Sequence, residues 1–164
     1  MPRIPYVDNP DLSLNIFRVF GHRPDLLERY RAYGQSLLTE GQIEPRCTEL
    51  VVVGVAAAVG SDYLWSHHGD LARTHGVTDG ELRGVRDGKL EVLPDRDRIS
   101  VGFAQAITRQ PVGDQEIGAL VDAELAPGEI LELSLLASFY AMTARVLESL
   151  DVPLEAGRAG LEQP

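Results

Sequence analysis

Cysteine is almost missing from this sequence: Cys47 is the single one in 164 residues. One thiol excludes an intramolecular disulfide framework and any cysteine-based zinc site. Positive charge is also short, with 15 Lys and Arg against 25 Asp and Glu and a formal net charge of −10. A nucleic-acid partner requires a basic face, and no cluster supplies one. In "LPDRDRIS" acid and base alternate, which reads as a solvated helix start. No H-E-x-x-H, G-x-S-x-G, Gly-rich phosphate loop or dinucleotide fingerprint is present, so zincin, hydrolase, kinase and NAD-dependent chemistry lack their usual carriers. His68 and His75 share a helix face, but at about 10 Å along the axis they are too far apart to hold one ion. The expectation is therefore no metal and no cofactor.

The uncharged run at residues 50–60 is shorter than the roughly 20 residues needed to span a bilayer. No basic-then-apolar leader opens "MPRIPYVDNPDLSLNIF". These features predict a soluble, cytoplasmic protein with no membrane or nucleic-acid partner. Alternating strand patterns with hairpin turns are absent as well. Only Val51, Val52, Val53 and Val55 would suit a buried strand, and nothing elsewhere could pair with one.

What the sequence does have is helical periodicity. "PDLSLNIFRVF" and "PDLLERYRAYGQSLL" carry apolar residues at three-to-four spacing, each behind a Pro-Asp pair suited to a helix start. A third helix is expected from Pro45 to about Gly60, and a fourth from Ser61 as N-cap to His75, stopped by Gly76. "TDGE" at 78–81 is a capping-box pattern. Further helices follow in "ISVGFAQAITRQP", "GDQEIGALVDAEL" and the long "PGEILELSLLASFYAMTARVLESL". The last is apolar on nearly every side between Leu131 and Leu147, which predicts the middle of a bundle or a subunit interface. The fold class is all-α in a single domain, with residues 1–9 and 154–164 expected as loose termini.

Reactive side chains gather in "SDYLWSHHGDLARTHG", residues 61–76, directly behind the apolar run. Glu49 heads that run and shares a helix face with Val52, Val53 and Ala56, so its carboxylate lies on or beside a buried stripe. It could equally be a wet acid at a helix N-terminus. His68 shares a face with Leu64, Leu71 and Ala72. It is either a core histidine or an acid–base group. His67, rotated by about 100°, is expected to be the more exposed of the two. Tyr63, Trp65, Phe139 and Tyr140 are core aromatics or the walls of a pocket. Cys47 falls two residues before Glu49, on roughly the opposite helix face, and reads as structural.

The stretch "PRCTELVVVGVAAAVGSDYLWSHHGDLARTHGVTDGEL" resembles the core of the carboxymuconolactone decarboxylase family, within the alkylhydroperoxidase D-like superfamily. The resemblance extends from about Asn15 to Pro153. It implies an alkylhydroperoxidase D-like helical bundle, with Glu49 and His68 at the positions of the family's glutamate and histidine and Tyr63 at its intervening aromatic. The two redox cysteines of the peroxidase branch would fall on Ser61 and Leu64, so the resemblance implies no thiol peroxidase here.

Two functions follow as expectations. One is a cofactor-independent lyase or isomerase, acting on a small carbonyl or lactone compound through an enolate. His68 would be its acid–base group, Glu49 the orienting partner and Tyr63 the enolate donor, with Leu64, Trp65, Phe139 and Tyr140 as substrate-binding walls. The other is a non-catalytic ligand-binding or assembly protein that retains the fold. Either would self-associate as a dimer, trimer or hexamer.

Overall fold

The computed structural model describes residues 1–161. Among them are eight α-helices and no strand: α1 (Asn15–Phe20), α2 (Pro24–Thr39), α3 (Pro45–Val59), α4 (Asp62–Thr74), α5 (Asp79–Arg86), α6 (Asp95–Ile107), α7 (Asp114–Asp122) and α8 (Pro127–Ser149). A short 3₁₀ turn at Leu90–Val92 joins α5 to α6.

The valine run is helix because α3 is the central element. It packs against α4 on one side and against α6 and α8 on others, so Leu50, Val51, Val52, Val53, Val55 and Ala56 are all fully buried. A strand there would leave its ladder unpaired, whereas a helix satisfies every backbone group internally. Gly60, with φ +71°, ends α3 in the left-handed region. Ser61 then caps α4, its hydroxyl accepting from the Leu64 N–H at 3.5 Å. This tight αL-to-cap corner turns α4 back along α3 and brings "YLWSHH" beside the helix that carries Glu49. The capping box forms as expected: the Thr78 N–H donates to Glu81 at 2.8 Å, and the Glu81 N–H donates to the Thr78 hydroxyl at 3.2 Å.

Two expectations change, and a third, α8 as the middle of a bundle or a subunit interface, narrows. Helix α1 starts at Asn15, so Pro10 and Asp11 occupy a turn ahead of it. α8 is buried along one face, by Leu133, Leu136, Ala137, Tyr140, Ala144 and Leu147, while Leu131, Leu135 and Met142 face outward. It is the one described helix long and apolar enough to cross a membrane, and half of that stretch is buried within the protein. The termini are not loose. The Arg3 N–H donates to the Leu150 carbonyl at 2.7 Å and the Val7 N–H to Arg18 at 3.0 Å. At the other end, the Leu161 N–H donates to Asp62 at 2.7 Å. Polar partners on α1 and α4, which no local pattern announces, hold the C-terminal segment down. Residues 162–164, part of the stretch expected to be loose, lie outside the described residues.

Candidate functional site

Glu49 sits one turn into α3, beyond Pro45 at its first position, and is buried. Its Oε2 lies 2.8 Å from Nδ1 of His68, which is also buried, on α4. A carboxylate only accepts, so Nδ1 carries the proton and the lone pair of the neutral ring falls on Nε2. Nε2 has no protein partner among the described residues and is not sealed off. The ring edge packs against Tyr140 of α8, with centroids 4.7 Å apart.

His68 lines a cavity of about 500 Å³. Its walls are mostly apolar: Ile16 and Phe17 from α1, Tyr30 and Leu38 from α2, Leu64 and Leu71 from α4, Phe139 and Tyr140 from α8. This is the size and character of a small-molecule site. Of the expected pocket walls, Leu64, Phe139 and Tyr140 line the cavity. Trp65 does not line the cavity. On α4 the cavity-lining residues 63, 64, 67, 68, 70 and 71 span one arc, and the 100° step per residue turns Trp65 past its edge. It packs instead between the two parts of the core.

A second polar cluster borders the same cavity. The Tyr63 hydroxyl donates to Glu155 Oε1 at 2.7 Å and accepts from the Ile16 N–H at 3.2 Å. Both of its hydrogen-bonding roles are thus filled, so Tyr63 has no free proton to offer an enolate. Burial first, then the Glu155 carboxylate, push its phenol well above the ordinary range. His67 is the more exposed of the pair, though still part-buried: its Nε2–H donates to Glu155 Oε2 at 2.7 Å and its Nδ1 accepts from Arg158 at 3.1 Å. A guanidinium can only donate, which fixes the neutral Nε2–H tautomer of His67. Burial lowers its pKa more strongly than Glu155 raises it. Glu155 also accepts from the Asn15 N–H at 2.8 Å, and Arg158 donates to Asp70 at 2.7 Å. Desolvation works against the Glu155 carboxylate, but its hydrogen bonds from Asn15, Tyr63 and His67 outweigh it and hold the pKa below the usual value.

Glu155 and Arg158 are the residues that sequence reasoning missed. Their three-residue charge spacing was the available signal, hidden in a short, glycine-containing tail. His75 ends α4 as its C-cap, exposed and away from the cavity.

No thiol reaches the site. Cys47 is buried in the core, and desolvation pushes it up to about 12. Native protein should therefore give almost no colour with an aromatic disulfide reagent, and denatured protein should release the full single-thiol signal. Rapid labelling of the folded chain would contradict this placement.

The helical corner, the buried Glu–His pair and the apolar cavity lie largely within one segment that has known relatives. Residues 24–90, from α2 through the start of the 3₁₀ turn, match the carboxymuconolactone decarboxylase family. Over most of its length the chain has the fold of the alkylhydroperoxidase AhpD core. It resembles the AhpD-core, uncharacterized peroxidase-related protein of Ralstonia eutropha JMP134 at 19% identity and TM-score 0.82, over 94% of this chain and 93% of that one. A peroxidase-related protein of Silicibacter sp. TM1040 is similar at 18% identity and TM-score 0.81, over 90% and 79%. The debrominase Bmp8, as a cysteine-to-alanine variant in complex with 2,3,4-tribromopyrrole, is similar at 15% identity and TM-score 0.77, over 89% and 79%. At these identities the likeness is one of fold. No curated protein matches the sequence significantly.

Proposed function

We propose that this protein is a cofactor-independent acid–base enzyme acting on a small, largely apolar carbonyl or lactone compound. The observation that carries the reading is His68, held at Nδ1 by Glu49 with Nε2 left open on a 500 Å³ cavity. In the proposed step Nε2 takes a proton from the carbon beside the carbonyl. The C–H electron pair becomes the enolate double bond, and the carbonyl π pair moves onto oxygen. The imidazolium then returns the proton to the same carbon or to another one, which gives exchange or isomerisation. Glu49 stabilises the charged ring as it forms.

Peroxidatic chemistry through a Cys-x-x-Cys pair is not open to a chain with one cysteine. The alternative, a ligand-binding protein without catalysis, would use the same cavity and make no demand on Nε2.

The test is α-proton exchange in deuterated water, followed by NMR over a panel of small cyclic ketones, keto acids and lactones. Exchange accelerated by the protein for any member supports the enzyme. Binding of panel members with no acceleration would give the lead to the non-catalytic reading. Self-association belongs to the same proposal, supported by the outward Leu131, Leu135 and Met142 on α8. Light scattering measures the mass directly.

A further inference from the structure

An enolate intermediate requires a proton donor at its oxygen, and the hydroxyl groups lining the cavity can be sorted by where their protons go. Tyr63 donates to Glu155 at 2.7 Å. Thr39 donates to the Gln35 carbonyl at 3.0 Å. Thr143 donates to the Phe139 carbonyl at 2.9 Å, so the Tyr30 hydroxyl, 3.0 Å from Thr143 Oγ1, is the donor of that pair. Tyr140 alone keeps its proton: its hydroxyl has no hydrogen-bond partner among the described residues and is not occluded.

We propose that Tyr140 is the catalytic residue that donates to the developing oxyanion, beside His68. This rests on the acid–base reading of the site. The geometry favours it in three ways. The Tyr140 ring is buried and packs on the edge of His68 at 4.7 Å, so donor and base are held as one unit. Phe139 meets it edge-on at 5.3 Å and limits its swing. A buried phenol left without a protein partner is costly unless a bound molecule or water completes it, and the cavity is where that molecule would sit. Desolvation, then Tyr30 and Glu49, raise the Tyr140 pKa, so the phenol stays a donor through neutral and alkaline conditions.

The probe is 4-nitrophenol, whose yellow phenolate band reports an oxyanion in the cavity. Wild type should bind it in the ionised form, with His68 protonated. Tyr140→Phe, which removes one oxygen with no protein partner, should weaken that binding about tenfold or more. In parallel, the ring-carbon resonance of Tyr140 in ¹³C-tyrosine-labelled wild type should shift on binding, a measurement that needs no variant. Ionised binding that depends on His68 but not on Tyr140, or that falls with Tyr63→Phe instead, would overturn the Tyr140 assignment alone. Neutral binding indifferent to His68→Gln would overturn the acid–base reading with it. No binding to wild type would count against both.

Discussion

Glutamine in place of His68 should cut catalysed α-proton exchange by about 10²–10⁴-fold, the usual worth of a positioned general base. The amide keeps a donor in reach of Glu49, whose Oε2 lies 2.8 Å from Nδ1 in the native chain. The fold should therefore survive, and the loss should fall on the chemical step. Glu49→Ala is the harsher change, because it strands the Nδ1–H of His68 between two buried helices. It is expected to cost about 1–3 kcal/mol of stability, the penalty for an unsatisfied buried donor. A double-mutant cycle with His68→Ala separates this from simple loss of packing: the pair removed together should cost less than the two single changes added. Additive costs would show that the two side chains are not coupled. Retained exchange in His68→Gln would remove His68 from the chemistry.

Glu155→Ala should release the C-terminal segment. The carboxylate accepts from Asn15, Tyr63 and His67, yet about a fifth of its side chain is still exposed (22%). Water can replace part of what is lost, so the expected cost is that of one charged hydrogen bond, about 1.5–3 kcal/mol, rather than of three. Limited trypsin digestion at Arg158 should become faster in the variant, whereas an unchanged cleavage rate would show that Glu155 does not hold the tail.

Acid should loosen the same clasp in the native chain. His67 and Glu155 both have folded pKa values below their unfolded ones, 6.5 and 4.5 respectively. The unfolded state therefore binds more protons in both windows, and stability rises with pH. The His67 contribution is fully present above about pH 6.5 and the Glu155 contribution above about 4.5, each fading as pH falls through its folded value. Protonated His67 can no longer accept from Arg158, so tail protection in hydrogen exchange should fall before global protection does. Equal loss throughout the chain would contradict a local clasp.

Helix positions were largely legible in the sequence because they depend on local chemistry. The start of α2 at Pro24, the Gly60 stop, the Ser61 cap and the Thr78–Glu81 box each act within a few residues. The Glu49–His68 pairing was reached only through the family resemblance, because position left Glu49 equally a buried carboxylate or a wet acid at a helix start, and the contact crosses from α3 to α4. Tyr63 was misjudged because its partner, Glu155, is 92 residues away. Trp65 was misjudged because both sides of α4 are apolar, and periodicity does not say which side meets a cavity and which the core.

By itself, then, the sequence determined an all-α chain with a central apolar helix and a site without a thiol. These follow from composition and from interactions spanning a turn or two of helix. The tertiary structure decided which hydroxyl keeps its proton. Tyr63, Tyr30 and Tyr140 are the same chemical group, and only long-range packing makes the first two donors to protein partners and leaves the third open on the cavity. It also decided that the tail is clasped rather than loose, because Glu155 has its partners on α1 and α4, which only the folded chain brings together.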